Sequence, residues 1–145
     1  MNKFFKYSLV TYCVTIALSA CSTVTHPKKS LAVATWNIEH LAEQNSKGCK
    51  ARDEADYEKL KEYASNLKAD IVALQEVESA KAVARVFPVK EWQIIISDRS
   101  DSPTYTCRES GLTSTQQKVA FAVRNSLKID SVEQLKAIAA PRPGL

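Results

Sequence analysis

Lys68-Ala69-Asp70-Ile71-Val72-Ala73-Leu74-Gln75-Glu76-Val77 decides the fold. A polar lead-in turns the chain into four apolar residues, Gln75-Glu76 interrupts them, and Val77 resumes the run. Such a short run of strand-forming types between polar residues reads as a buried strand. Its polar end falls at the carboxyl edge of the sheet, where layered α/β folds present their functional groups. A carboxylate after four apolar residues is costly unless it is paired, protonated or bound to a metal. For Glu76 alone, a salt bridge or a strand exit into water is the commoner outcome.

Working outward, Leu31 to Ile38 is a second apolar stretch with no turn residue, expected to be a strand buried on both faces and ended by Glu39-His40. Glu43 to Arg52, with Asn45, Ser46, Gly48 and Cys49, reads as a loop. Asp53 is the expected N-cap of a helix over 54–67, with Glu54 and Asp56 in its first turn, where the helix dipole favours negative charge. Tyr57, Leu60, Ala64 and Leu67 share one face, which is core. Downstream, Ser79 caps a short helix to Val86 with Ala80, Val83 and Phe87 inward, and Pro88 stops it. Trp92 to Ile96 is a third strand and 97–114 a loop with room for a short strand at Tyr105 to Cys107. Val119 to Val123 is a fourth strand, and Leu127 to Ile129 is expected as a short fifth.

The whole chain of 145 residues is 45% apolar and 25% charged, the balance of an ordinary globular protein. Three scattered glycines exclude a glycine-rich phosphate loop. Residues 1–20 contain no acid and place Lys3 and Lys6 ahead of the mostly apolar run Tyr7 to Leu18, which reads as a secretory signal. A membrane-spanning helix needs about 20 predominantly apolar residues, and this run is shorter and broken by Ser8, Thr11 and Thr15. The run closes on Leu18-Ser19-Ala20-Cys21, which resembles the lipobox of bacterial lipoproteins. That resemblance implies acylation of Cys21 and attachment to a cell or outer membrane, facing the periplasm or the exterior. Residues 21–30 then form a polar tether holding a solvated His26, and 31–145 the domain. Loss of Lys3 and Lys6 with the leader lowers the net charge from +4 to +2, too little to argue a nucleic-acid partner. Cys13 leaves with the leader, so Cys49 and Cys107 remain in an oxidising compartment. Their spacing fits no zinc motif. A disulfide between two loops is the better reading, and two separately buried thiols the alternative.

Two strand ends therefore set polar groups in apolar surroundings: Trp36-Asn37-Ile38-Glu39 and Leu74-Gln75-Glu76-Val77. In motif, order and spacing these resemble the endonuclease/exonuclease/phosphatase superfamily, as does Gln117-Lys118-Val119-Ala120-Phe121-Ala122-Val123-Arg124, which looks like a core strand of that family ending in Arg. The resemblance covers residues 31–143. It implies an α/β fold, the N-terminal half of a four-layered α/β sandwich, that hydrolyses phosphodiesters or phosphomonoesters with Mg²⁺ or Mn²⁺. It makes Glu76 the metal carboxylate, gives Asn37 the catalytic role of orienting the phosphate or assisting at the metal, and offers Glu39 as an acid close behind the metal. Arg124 could approach phosphate, while His40 at a strand exit is expected to be merely exposed.

The family's central His, its Asp-X-Asn motif and its terminal Ser-Asp-His have no counterpart here, since after the leader only His26 and His40 remain. A sandwich of this kind is expected to need roughly 200 to 250 residues. The chain is accordingly read as an N-terminal portion with an incomplete metal site, inactive by itself. The competing reading is a noncatalytic lipoprotein that uses the half-fold as a binding or structural module.

Overall fold

The computed structural model of the protein describes residues 30–135. The leader, Cys13, Cys21 and His26 lie outside the described residues. The elements run β1 (Val33–Leu41), α1 (Glu54–Asn66), β2 (Ile71–Val77), α2 (Ala80–Val86), β3 (Trp92–Ile96) and β4 (Lys118–Arg124). They make a mixed α/β unit. The four strands form one sheet in the order β1-β2-β4-β3, with β1 parallel to β2 and β4 antiparallel to both β2 and β3. The α1 crossover is what allows β1 and β2 to run parallel, and it brings their carboxyl ends side by side.

Asp53 starts α1 through a reciprocal cap: its carboxylate accepts from Asp56 N at 3.0 Å, and the Asp56 carboxylate accepts from Asp53 N at 3.2 Å. Leu67 ends it, its N–H donating to Tyr63 O, and Lys68 follows in the left-handed region that helix ends commonly use. Ser79 caps α2, its hydroxyl accepting from Ala82 N at 3.1 Å.

Both helices cover one face of the sheet. Val72, Leu74, Ala120 and Ala122 point into it, and Tyr57, Ala64, Ala82, Val83, Val86 and Phe87 close over them. Burial of each large apolar side chain in this layer contributes roughly 1.5–3 kcal/mol. Trp36, Phe87 and Trp92 pack edge to face, with ring centroids 6.4 and 5.1 Å apart. The inward stripe of α2 differs from the expected one, because Ala80 occupies the first helical position and is exposed, while Ala82 and Val86 face the sheet.

The opposite face carries Val33, Ile71, Ala73, Ile95, Val119 and Phe121, and no layer covers most of it among the described residues. Val33 is 63% exposed and Phe121 47%. The expectation that the first strand is buried on both faces therefore fails: β1 is an edge strand with its outward face open. It also continues past Ile38 to Leu41. Leu127 to Ile129 is not a strand; Leu127 N donates to Arg124 O in a turn, and the segment shares a groove with Ile95 and Phe121. Tyr105 to Cys107 contributes a single bridge, Thr106 to Thr113. Among the described residues no helix is long and apolar enough to cross a membrane.

Candidate functional site

At the carboxyl ends of β1 and β2 both ladders lose register at the same level. β1 pairs with β2 residue for residue from Val33↔Ile71 to Asn37↔Gln75, then jumps to Leu41↔Val77, so residues 38–40 oppose Glu76 alone. On its other side β2 pairs Gln75↔Val119 and then Val77↔Lys118, again passing over Glu76. Bulges re-aim side chains and are common beside functional sites. Here they are built from residues other than glycine: Glu39 and His40 each have φ 54° and Glu76 has φ 60°. Each left-handed residue of this kind costs on the order of 1–3 kcal/mol and persists only where its surroundings hold it.

The three strained residues and Asn37 form one group. The Asn37 amide donates from Nδ2 to Glu76 Oε1 at 2.8 Å, and its Oδ1 accepts from Glu39 N at 3.0 Å, so both ends of the amide are engaged. His40 Nε2 lies 3.8 Å from Glu76 Oε2, and His40 Nδ1 lies 2.7 Å from Gln117 Nε2. The imidazole is 14% exposed and the Glu76 side chain 32%, so the carboxylate is reachable from solvent while the ring behind it is nearly enclosed. Glu39 turns to the rim, where Lys50 Nζ is 3.7 Å from its Oε2. Glu39, His40, Lys50, Glu76, Tyr105 and Arg108 line a cleft of about 400 Å³.

Two loops wall this cleft and are joined by the Cys49–Cys107 disulfide, which itself contributes to the lining and whose Cα atoms are 5.3 Å apart. Arg52 reaches under the β1 bulge, donating to Ile38 O at 2.9 Å and His40 O at 3.3 Å. Burial lowers the pKa of its guanidinium, while Tyr57, Glu39 and Asp56 act in the opposite direction. Gly48 has φ 75°, and a Cβ there would meet Thr115 Oγ1 at 3.3 Å and His40 O at 3.5 Å. The loop thus needs glycine for conformation and for closeness to the bulge.

Asn37 and Glu76 are brought into direct contact, with Glu39 bonded to Asn37 through its backbone. His40, expected to be merely exposed, is instead a nearly enclosed member of the group. Arg124 does not approach it. Because β4 is antiparallel to β2, Arg124 lies at the far end of the sheet, roughly 17 Å from Glu76 at the usual rise per strand residue. There its guanidinium stacks 3.9 Å above the Trp92 ring and pairs with Glu91 at 3.4 Å. The same reversal puts the residue before β4, Gln117, beside the site. No local pattern singles out Gln117; only the direction of β4 does.

The carboxylates that line this cleft, and could offer oxygen donors to a divalent cation, are those of Glu76, Glu39 and Glu109. Among the described residues no three His, Cys, Asp or Glu side chains are grouped to hold a metal ion. Mg²⁺ is typically held by one or two carboxylates together with waters and substrate phosphate, so these donors fit part of such a shell. No protein-family model matches the chain, and neither a curated protein nor a solved structure is significantly similar to it.

Proposed function

We propose that the chain is the N-terminal part of a Mg²⁺-dependent phosphoesterase resembling the endonuclease/exonuclease/phosphatase superfamily, exported and anchored through an acylated Cys21. The observation that carries this reading is the coincidence of two bulges, at the carboxyl ends of parallel β1 and β2, that aim Glu76 into a solvent cleft with Asn37 bonded to it. The open apolar face of the sheet also favours a half-fold, because a second packed layer would bury Val33, Val119 and Phe121.

In this reading Glu76 holds the cation, which supplies polarisation of the phosphoryl oxygen and stabilises charge developing on it. Of the two roles implied for Asn37, assisting at the metal is the one its geometry supports, since both amide ends are engaged within the protein. Glu39 and Lys50 on the rim set the polarity of the entrance. The groups that would activate water and protonate a leaving group come from further chain. Phosphate esters are the substrate class; the charge of +2 left after loss of Lys3 and Lys6 from the chain's +4 does not single out nucleic acid.

With Mg²⁺ and a generic phosphodiester, the 145-residue chain should show no hydrolysis above background. Extension by downstream coding sequence bearing Asp-X-Asn and Ser-Asp-His motifs should give Mg²⁺-dependent cleavage. In that extended protein Glu76→Ala should lower turnover on the order of 100-fold or more and Asn37→Ala about tenfold. Glu62→Ala, on the exposed face of α1, should leave turnover unchanged. Robust hydrolysis by the unextended chain, or an extended protein indifferent to Glu76→Ala, would sink the proposal. For the anchor, a fatty-acid label should enter the exported protein and be abolished by Cys21→Ser; equal labelling of that variant rules acylation there out.

A further inference from the structure

We propose that His40 and Gln117 are positioning residues for Glu76: when the His40 ring is uncharged, Gln117 fixes it as the Nε2–H tautomer, and that N–H faces Oε2 of the carboxylate whose Oε1 Asn37 holds. The inference rests on the reading of Glu76 as the cation's carboxylate only for its consequence, not for the tautomer itself.

The direction of the Gln117 amide follows from its neighbours. Its Nε2 lies 2.7 Å from His40 Nδ1 and also 3.4 Å from Gln116 O. A carbonyl oxygen at that second distance attracts an NH₂ group and repels an amide oxygen, so the NH₂ end faces the ring. Nδ1 must then accept, and in a neutral imidazole the proton resides on the other nitrogen. That other nitrogen is the one 3.8 Å from Glu76 Oε2. At this distance the attraction is that of a dipole for a charge rather than a full hydrogen bond. The opposite tautomer would set N–H against NH₂ on one side and a lone pair against a carboxylate on the other. Both sides of the ring therefore select the same form. Groups near the ring come from several elements: Glu76 from β2, Gln117 ahead of β4, and the Tyr105 ring edge-on at 6.5 Å, with the Gly48 loop close by and Lys50, Arg108 and Glu109 lining the same cleft, while Arg52 binds the carbonyl of His40 itself.

The consequence concerns Glu76. Its Oε1 accepts a hydrogen bond from Asn37 Nδ2 and its Oε2 is drawn towards the His40 Nε2–H, so two side chains of β1 bias the carboxylate's orientation before any cation arrives. Partners that orient a ligating group typically alter metal affinity 10- to 100-fold when removed.

The chain has two histidines, so His26→Gln leaves His40 as the sole imidazole. In the full chain carrying that change, held in detergent micelles with ¹⁵N-labelled histidine at roughly pH 8.5, two units above the ordinary histidine value, the ring nitrogens should report Nε2–H. Gln117→Leu should give a mixture of tautomers, and Gln117→Glu should place a proton on Nδ1. A wild-type Nδ1–H form, or a Gln117→Glu variant that keeps Nδ1 bare, overturns the assignment. With Mn²⁺ as the probe, read by water proton relaxation, Gln117→Leu and His40→Leu should each raise the dissociation constant about tenfold. Unchanged Mn²⁺ affinity in both overturns the positioning role. A wild-type chain with the expected tautomer and no Mn²⁺ binding overturns the metal reading of Glu76 and supports the tautomer assignment on its own.

Discussion

Reducing the Cys49–Cys107 bridge should lower the free energy of unfolding by roughly 4 kcal/mol, the value the chain-entropy relation yields for a loop of this length. The two cysteines are 58 residues apart, and the closed loop contains α1, β2, α2 and β3. Two of the four strands and both helices are thus inside one covalent circle, and opening it frees them all in the unfolded chain. The native state loses something local as well. Cys107 is buried, and the bridge ties the 42–53 loop to the segment that leads through Thr115 and Gln116 to Gln117. Urea unfolding of the oxidised chain, the reduced chain and a Cys49→Ser, Cys107→Ser variant should give one high midpoint and two low ones. Coincident midpoints for all three would show that the bridge contributes nothing measurable. Thiol titration of the chain isolated without reductant should find neither Cys49 nor Cys107 free.

The same bridge shows which parts of this molecule can be read from sequence. β2 is legible because four apolar residues stand between Lys68-Ala69-Asp70 and Gln75-Glu76, and α1 because Asp53 and Asp56 form a recognisable start. Both are local patterns with local causes. The bulges are not legible, since their usual mark is a glycine and here Glu39, His40 and Glu76 take positive φ without one. What holds them is tertiary: Arg52 under β1, Gly48 against His40, and the paired side chains across the strand ends. Strand direction is equally hidden. The apolar alternation of Val119, Phe121 and Val123 reads the same in either direction, and the choice decides whether Gln117 or Arg124 meets Glu76. Nor does an apolar run disclose which of its faces has a layer above it. β1 was expected to be covered on both sides and is covered on one, because the described helices all lie on the same side of the sheet. The elements of the fold were thus more readable than the site, whose geometry depends on pairings between distant residues.

Arg52→Met should destabilise the protein by about 3 kcal/mol and loosen the site more than the rest of the fold. Arg52 is half-buried and is the donor for the carbonyls of Ile38 and His40, two residues of β1 that the register shift places opposite Glu76. Carbonyls displaced from a ladder need another partner, and a charged donor to each contributes more than a neutral one. Methionine keeps most of the aliphatic packing but supplies no donor, so the loss isolates the hydrogen bonds. Arg52→Lys should fall between the two, because a single ammonium cannot present the planar fork that spans both oxygens. Glu39 and His40 have φ values that persist only under constraint, so relaxation should begin there. Amide exchange should accelerate at residues 38–41 beyond any change in α1, and the His40 ring should lose its fixed tautomer. Uniform acceleration across the sheet would instead mean that Arg52 acts as general packing, and an unchanged urea midpoint would remove it from the account altogether. The expected pattern, local loosening larger than global loss, is what separates a residue that holds a strained strand end from one that merely fills space beneath it.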